Sequence, residues 1–481
     1  MDYKWVALSN TTIGVLMSSL DINIVLIALP TIGKDLSGMT AFNVIWVILG
    51  YQLVISVVLV NFGRLSDLYG RVRLYTLGFA LFTIGSALCG FAANADQLIG
   101  FRVIQATGSA FLFSNSAAIL TDAFPLNERG KALGINQVSI VAGSVTGLVV
   151  GGFITSLIGW RWIFWVNIPI GIFATAWSYF KLKELTATPV VRRLDISGNI
   201  TFALSVLLIL LAVTMYTVSS LQFWFAIIMI VSAMVLLTLF VYIEKGSRNP
   251  LFNLKLFGNR VFNAGNETIF LNALSRGSFT LVMVFYLQGP LMGFSPLEAG
   301  IFLVPMSIAL SIMGPISGSI SDRIGYHRPV IIGLLVSAAG FILLDGIGTS
   351  VTEFQILIPL VLIGGGMGIF ASPNRSSIMN SVPITERGFA SGISATFVNV
   401  GNTMSIGIAF LIMELSTPKA MLDAIFSGKP ISSAGFSASS FVSSVHLVFL
   451  ASAVMILASV AIYLIASYNT GTRRLWIRAA G

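Results

Sequence analysis

The chain has 481 residues, of which 56% are hydrophobic and 9% charged, with a formal net charge of +9 and a mean hydropathy of +0.93. A soluble domain carries about 25% charged residues, because the surface of a compact fold needs polar cover. A soluble enzyme, a secreted disulfide scaffold and a disordered chain are therefore excluded. The apolar residues run in blocks of about twenty rather than alternating over about ten, which selects a polytopic helical membrane protein over a transmembrane barrel.

In chain order, apolar windows fall near 5–29, 41–63, 74–93, 97–121, 133–157, 162–180, 196–216, 221–243, 262–288, 297–318, 329–348, 354–374, 389–413 and 441–467, which predicts fourteen membrane-spanning helices. The first is too long for a cleaved signal and carries Asp21. An even number of spans returns both termini to one side. With the N-terminus inside, 21 of the 27 lysines and arginines lie on the inner side. Lys34, Arg161, Lys419 and Lys429 lie outside, and Arg102 and Arg276 lie within the membrane. This bias predicts a multi-pass protein of the cytoplasmic membrane with both termini cytoplasmic. It also accounts for the basic balance without a nucleic-acid partner.

The chemistry available is narrow. One cysteine, Cys89, and two histidines, His327 and His446, form no disulfide and no metal-ligand set. No zinc-protease or P-loop motif is present, so no metal and no cofactor are expected. The run from Gly364 to Gly368 is glycine-rich but lies inside an apolar window, where close helix packing is the expected use.

Two loops repeat. Gly63-Arg64-Leu65-Ser66-Asp67-Leu68-Tyr69-Gly70-Arg71-Val72-Arg73 matches Gly318-Ser319-Ile320-Ser321-Asp322-Arg323-Ile324-Gly325-Tyr326-His327-Arg328 at an offset of 255. Glu128-Arg129-Gly130 matches Glu386-Arg387-Gly388 at an offset of 258. Spans 1–6 and 9–14 are thus two copies of one unit, and spans 7 and 8 lie outside the repeat. The expected domains are an N-terminal six-helix bundle over 1–181, a linker with two extra spans over 182–260, and a C-terminal six-helix bundle over 261–481. Two such bundles around an axis along the membrane normal are a transporter architecture, with the substrate site between them near mid-depth.

The loop from Gly63 to Arg73 resembles the signature of the major facilitator superfamily. Trp160-Arg161-Trp162-Ile163-Phe164-Trp165-Val166-Asn167-Ile168-Pro169, Leu20-Asp21 followed by Ala28-Leu29-Pro30, and Tyr286-Leu287-Gln288 resemble its fourteen-helix drug:proton antiporter family. The resemblance implies an all-α fold of two six-helix bundles with two linking helices. It also implies a proton-coupled exporter rather than an enzyme.

Candidate residues follow. Gly63, Asp67, Gly70, Arg71 and Arg73, with Gly318, Asp322 and Gly325 in the second copy, make a cytoplasmic latch. The resemblance implies that Asp67 faces the start of span 13 in the outward-facing state, where a helix N-terminus favours a carboxylate; Arg71 is placed to pair with Asp122. Asp21 lies about 6 Å outward of its span's midpoint and Arg102 about 10 Å, near enough in depth to pair. A buried ionisable residue in a membrane usually faces a cavity and a partner. The pair reads either as a proton-titrating carboxylate tuned by an arginine or as a structural ion pair, and Glu267 is the next candidate for coupling. Arg276, near mid-depth in span 9, binds an anionic substrate, binds a lipid headgroup, or neutralises Asp21. Gly143, Gly147, Gly151 and Gly152 resemble the superfamily's antiporter motif, with Leu148 where that motif has proline. Trp160, Trp162 and Trp165 read first as interfacial anchors.

The function expected is export of hydrophobic or cationic drug-like compounds in exchange for protons, by a monomer in the lipid bilayer. The alternatives are an exporter of lipids or lipophilic metabolites, which Arg276 favours, and a facilitator without proton coupling. A membrane-embedded enzyme has little support, because the chain lacks a clustered nucleophile, base and metal set.

Overall fold

The computed structural model describes residues 2–125, 128–185, 196–218, 222–246, 254–289, 292–346, 352–383, 386–427 and 438–469. Of the basic residues counted above, Arg192, Arg193, Arg248, Lys429, Arg473, Arg474 and Arg478 lie outside them.

Among the described residues, fourteen helical spans are long and apolar enough to cross a membrane. The first five are α1 (Tyr3–Asp35), α2 (Ala41–Tyr69), α3 (Arg71–Gly90), α4 (Ala95–Ala123) and α5 (Arg129–Leu157). The sixth is split into α6 (Trp162–Trp165) and α7 (Asn167–Lys181), and α8 (Ile196–Val218) and α9 (Phe223–Gly246) follow. The ninth is divided near mid-depth into α10 (Arg260–Arg276) and α11 (Phe279–Gln288). The rest are α12 (Pro296–Ile324), α13 (His327–Leu344), α14 (Glu353–Asn380), α15 (Arg387–Glu414) and α17 (Ala438–Asn469). All regular structure among the described residues is helical. The windows miss α16 (Lys419–Ser427), a short amphipathic helix between the last two spans, because nine residues leave no membrane-length apolar run.

Polar caps start several spans. Thr40 and Asn94 accept from the backbone N–H of Asn43 and Gln97, and Ser295 and Glu298 cap each other's backbone at the head of α12. Glycines then set how closely the helices pack. A Cβ on Gly143, Gly147 or Gly151 would fall 2.5–2.7 Å from Leu16, Leu20 or Ile24 on α1. The run Gly364–Gly368 serves the same end in α14. Gly364 and Gly368 abut α12 at Met306 and Leu310, and Gly366 abuts α13 at Ser337. It is a packing run, as expected. α8 packs on α2 and α15, so the extra pair sits where the two halves meet.

The side carrying Arg71, Arg129, Arg323 and Arg387 is here called the basic side. Contacts between the halves concentrate toward the far side. Gly152 of α5 abuts the backbone of Pro296 and Leu297, and Gly300 abuts the Leu148 carbonyl. Gln288 Nε2 donates to the Ile27 carbonyl (2.9 Å), and Asp423 of α16 accepts from the Ala41 N–H (2.7 Å) at the head of α2. Phe426 of α16 packs on Phe285 and Phe410 while its carbonyl lies against Gly33 of α1. Nearer mid-depth, Ser56 meets Thr403 at 3.1 Å. On the basic side α5 is buried along one stripe only, Ala132, Asn136 and Ser139, and its other faces between 131 and 138 are exposed. Gly130 and Gly134 there, and Gly314 and Gly392 on the opposite half, meet open space. The bundles are closed on the far side and part toward the basic side.

Candidate functional site

Asp21 and Arg102, 81 residues apart in the chain, form an ion pair at the centre of the N-terminal bundle, 0% and 1% exposed. Gln105 Nε2 donates to Asp21 Oδ1 at 2.8 Å, and Asn167 Nδ2 donates to the same oxygen at 3.3 Å. Arg102 also donates to Gln105 Oε1 (2.8 Å) and to the Val47 carbonyl (3.3 Å), and its guanidinium lies 4.0 Å from the centroid of the Tyr51 ring. Ser86 accepts from Asn167 Nδ2. One carboxylate thereby gathers α1, α2, α3, α4 and α7.

Gln105 follows Arg102 by three residues on one helix face, and Asn167 is the polar interruption of an apolar span. The sequence reading assigned neither of them a role, nor Tyr51. A polar side chain in an apolar span is expected to avoid lipid, but the sequence does not say what it meets. The cluster's chemistry is limited and specific. Protonating Asp21 removes the charge that holds Arg102, and the hydrogen bonds that join the five helices must rearrange.

The basic-side loop is organised around Arg71. It donates to Asp67 Oδ1 (2.7 Å) and to Asp122 Oδ2 (2.7 Å), which ties α3 to the ends of α2 and α4. Gly70 makes the turn at φ +102°, and Glu184 accepts from the Arg71 and Val72 N–H groups at the head of α3. Asp67 remains half exposed, and Arg73 is exposed. Gly63 is not crowded. In the second copy Gly325 repeats the turn at φ +83° and Gly318 lies against Ser372. Asp322 is exposed, and Tyr326 stands where Arg71 stands in the first copy. The other repeat is closely matched: Arg129 and Arg387 donate to the Phe124 and Met379 carbonyls at the ends of α4 and α14, where a helix C-terminus favours a cation.

The remaining candidates separate. Gly143, Gly147 and Gly151 pack on α1, whereas Gly152 faces α12 across the far-side seam. Glu267 is exposed and stands apart from the Asp21 cluster. Arg276 does not neutralise Asp21, whose charged partner is Arg102. The tryptophans divide as well. Trp162 is exposed, but Trp160 is 2% exposed beneath Arg161 and Trp165 packs on Gly90 and Phe91. Two of the three therefore fill the bundle's far end rather than anchor it in lipid.

Two apolar-faced helical bundles, closed at one end and joined by a helical hairpin, define a membrane carrier rather than an enzyme. The profile of the Major Facilitator Superfamily matches residues 11–406, and the chain belongs to that superfamily. It is 34% identical over 415 residues to the riboflavin transporter RibZ of Clostridioides difficile, covering 85% of this chain and 88% of that one. It is 31% identical over 402 residues to the multidrug resistance protein Stp of Mycobacterium tuberculosis, covering 83% and 74%. Among solved structures, the POT family transporter PepTSo matches with a TM-score of 0.68 at 12% identity, over 97% of this chain and 98% of that one, which is a likeness of fold.

Proposed function

We propose that this transporter exports hydrophobic drug-like compounds in exchange for protons, with Asp21 as the group that exchanges the proton and Arg102 as its counter-charge. The observation that carries the reading is the buried Asp21–Arg102–Gln105–Asn167 cluster. Antiport needs a group whose charge state alters helix packing, and this carboxylate links five helices of one bundle. The named multidrug relative supports the substrate class. The cationic branch of the expectation has less support, because Asp21 is already held by an arginine. The bundles 1–181 and 261–481 act as the rocking units and 182–260 as the linker. The basic side faces the cytoplasm, both termini included, in the cytoplasmic membrane, and the unit is a monomer. The arrangement described is then open to the inside, with the Asp67 latch released.

The test is uptake of a lipophilic fluorescent dye into proteoliposomes with an imposed pH gradient. Wild type concentrates dye and Asp21→Asn does not. A wild type that ignores the gradient overturns proton coupling and leaves a facilitator. A second reading, export of one lipophilic metabolite, is favoured by the relative named a riboflavin transporter. In that case a flavin competes with dye far better than other aromatic compounds of similar size.

A further inference from the structure

Arg276 ends α10, with two residues between it and the start of α11. It lies about 3 Å from the midpoint of the ninth span at 1.5 Å per residue. Protein encloses it, yet it keeps partial accessibility. Its Nε is buried and has no hydrogen-bond partner, and no carboxylate among the described residues is near enough to act on it. One turn earlier on the same face, Asn272 is 5% exposed and its Nδ2 is also buried and unbonded. Next in the chain, Gly277 abuts Asn402 of α15, whose side-chain Oδ1 is buried and unbonded. An amide offers donors or acceptors according to how it is turned.

Burying an unpaired charge in a membrane is costly, and intramembrane arginines are normally paired. Among the described residues Arg102 has a carboxylate partner and Arg276 has none. A guanidinium has five donors and no acceptor, and it suits a carboxylate, sulfonate or phosphate. Mid-depth, at an interrupted helix, is also where carriers of this architecture hold their cargo. We infer that Arg276, with Asn272 and Asn402, is an anion subsite that binds the acidic headgroup of an amphiphile. This inference rests on the transporter reading and names the substrate's polar end. A transported acidic compound and an anionic lipid share that headgroup chemistry.

The experiment compares two probes with one aromatic body, 8-anilinonaphthalene-1-sulfonate and neutral N-phenyl-1-naphthylamine. Equilibrium binding is measured to purified full-length protein in nanodiscs of phosphatidylcholine. Arg276→Gln is expected to weaken sulfonate binding about 10-fold and change the neutral probe by less than about 2-fold, with partial recovery in Arg276→Lys. Asn272→Leu serves as a second variant and is expected to weaken the sulfonate selectively by a smaller factor. Repeating the assay in phosphatidylglycerol nanodiscs assigns the source. Loss of the arginine-dependent difference there identifies a lipid headgroup, and its persistence identifies a soluble acidic substrate. Sulfonate binding that stays at the wild-type affinity in Arg276→Gln and Asn272→Leu, or falls no more than that of the neutral probe, overturns the subsite. The readout is binding without a gradient, so a failure of proton coupling in the liposome assay leaves this result standing.

Discussion

Asp21 and Arg102 depend on each other. Removing one partner of a buried ion pair typically costs about 3–5 kcal/mol, because the other is left as an uncompensated charge. Arg102→Ala is therefore expected to lower the melting temperature in detergent markedly. Asp21→Asn, which keeps the shape and the one acceptor oxygen that Gln105 and Asn167 share, is expected to lower it less. Arg102→Lys keeps the charge but loses the guanidinium over the Tyr51 ring and the fork of donors that also reaches Gln105 and the Val47 carbonyl. It is expected to fold and to show at least about a tenfold loss of gradient-driven dye uptake. If Asp21→Asn keeps uphill transport at the wild-type rate, the coupling carboxylate lies elsewhere, and Glu267, exposed on α10, becomes the next residue to test.

At the scale of elements, the far-side seam and the basic-side latch are opposed. Gly152 and Gly300 are the positions where α5 and α12 touch backbone to backbone, and a Cβ at Gly152 would lie 2.5 Å from the Pro296 carbonyl. Gly152→Ala is therefore expected to push the far side apart and raise the population open on that side, read as a change in spin-label distance between α5 and α12. Gly147→Ala meets α1 instead, within one bundle. It is expected to lower stability with little shift between states, and the same shift from both variants would remove the assignment. Asp67→Asn acts on the other end. In the released arrangement its loss costs one exposed contact to Arg71, a small term. In the closed arrangement of the proposed latch it would also cost the contact with the start of α15. The variant is expected to favour the state open on the basic side and to slow transport, with state populations measured by cysteine accessibility on α2.

Across the whole molecule, the hairpin of α8 and α9 sits against α2 and α15, and Phe240 of α9 joins the buried apolar cluster of Phe262, Ile378 and Ile393. A large part of α9 is apolar and exposed, as lipid contact requires. Replacing 196–243 by a polar linker is expected to preserve insertion and gradient-driven transport at a reduced rate, since an even number of spans is removed. A folded variant without any substrate binding would show that the hairpin does more than join the bundles. α16 is the converse case. It is short, yet Asp423 and Phe426 carry the C-terminal half across to α1 and α2. Phe426→Ala is expected to loosen the far-side closure, measured as faster labelling of a cysteine that replaces the buried Val44 of α2, beside Gly33.

The fold class was legible in the sequence because a bilayer imposes long apolar windows and leaves charges at their ends. Fourteen spans, the two-fold repeat and the tilt of basic residues to one side all follow from that constraint, and the depths of Asp21 and Arg102 were readable from helix rise alone. The partners of these residues were not. Gln105 and Asn167 are ordinary polar residues in their windows, and only packing of α1, α4 and α7 brings them onto one carboxylate. Linear depth also left Arg276 open between pairing with Asp21 and standing alone, and it is Arg102 that packs against Asp21. Trp160 was misread because hydropathy marks a boundary without telling which face of it is covered. The sequence by itself determined what must lie in the membrane, since that is a property of each segment. The tertiary structure decided which buried charges are satisfied and which side of the molecule is closed, because both depend on contacts between segments more than eighty residues apart.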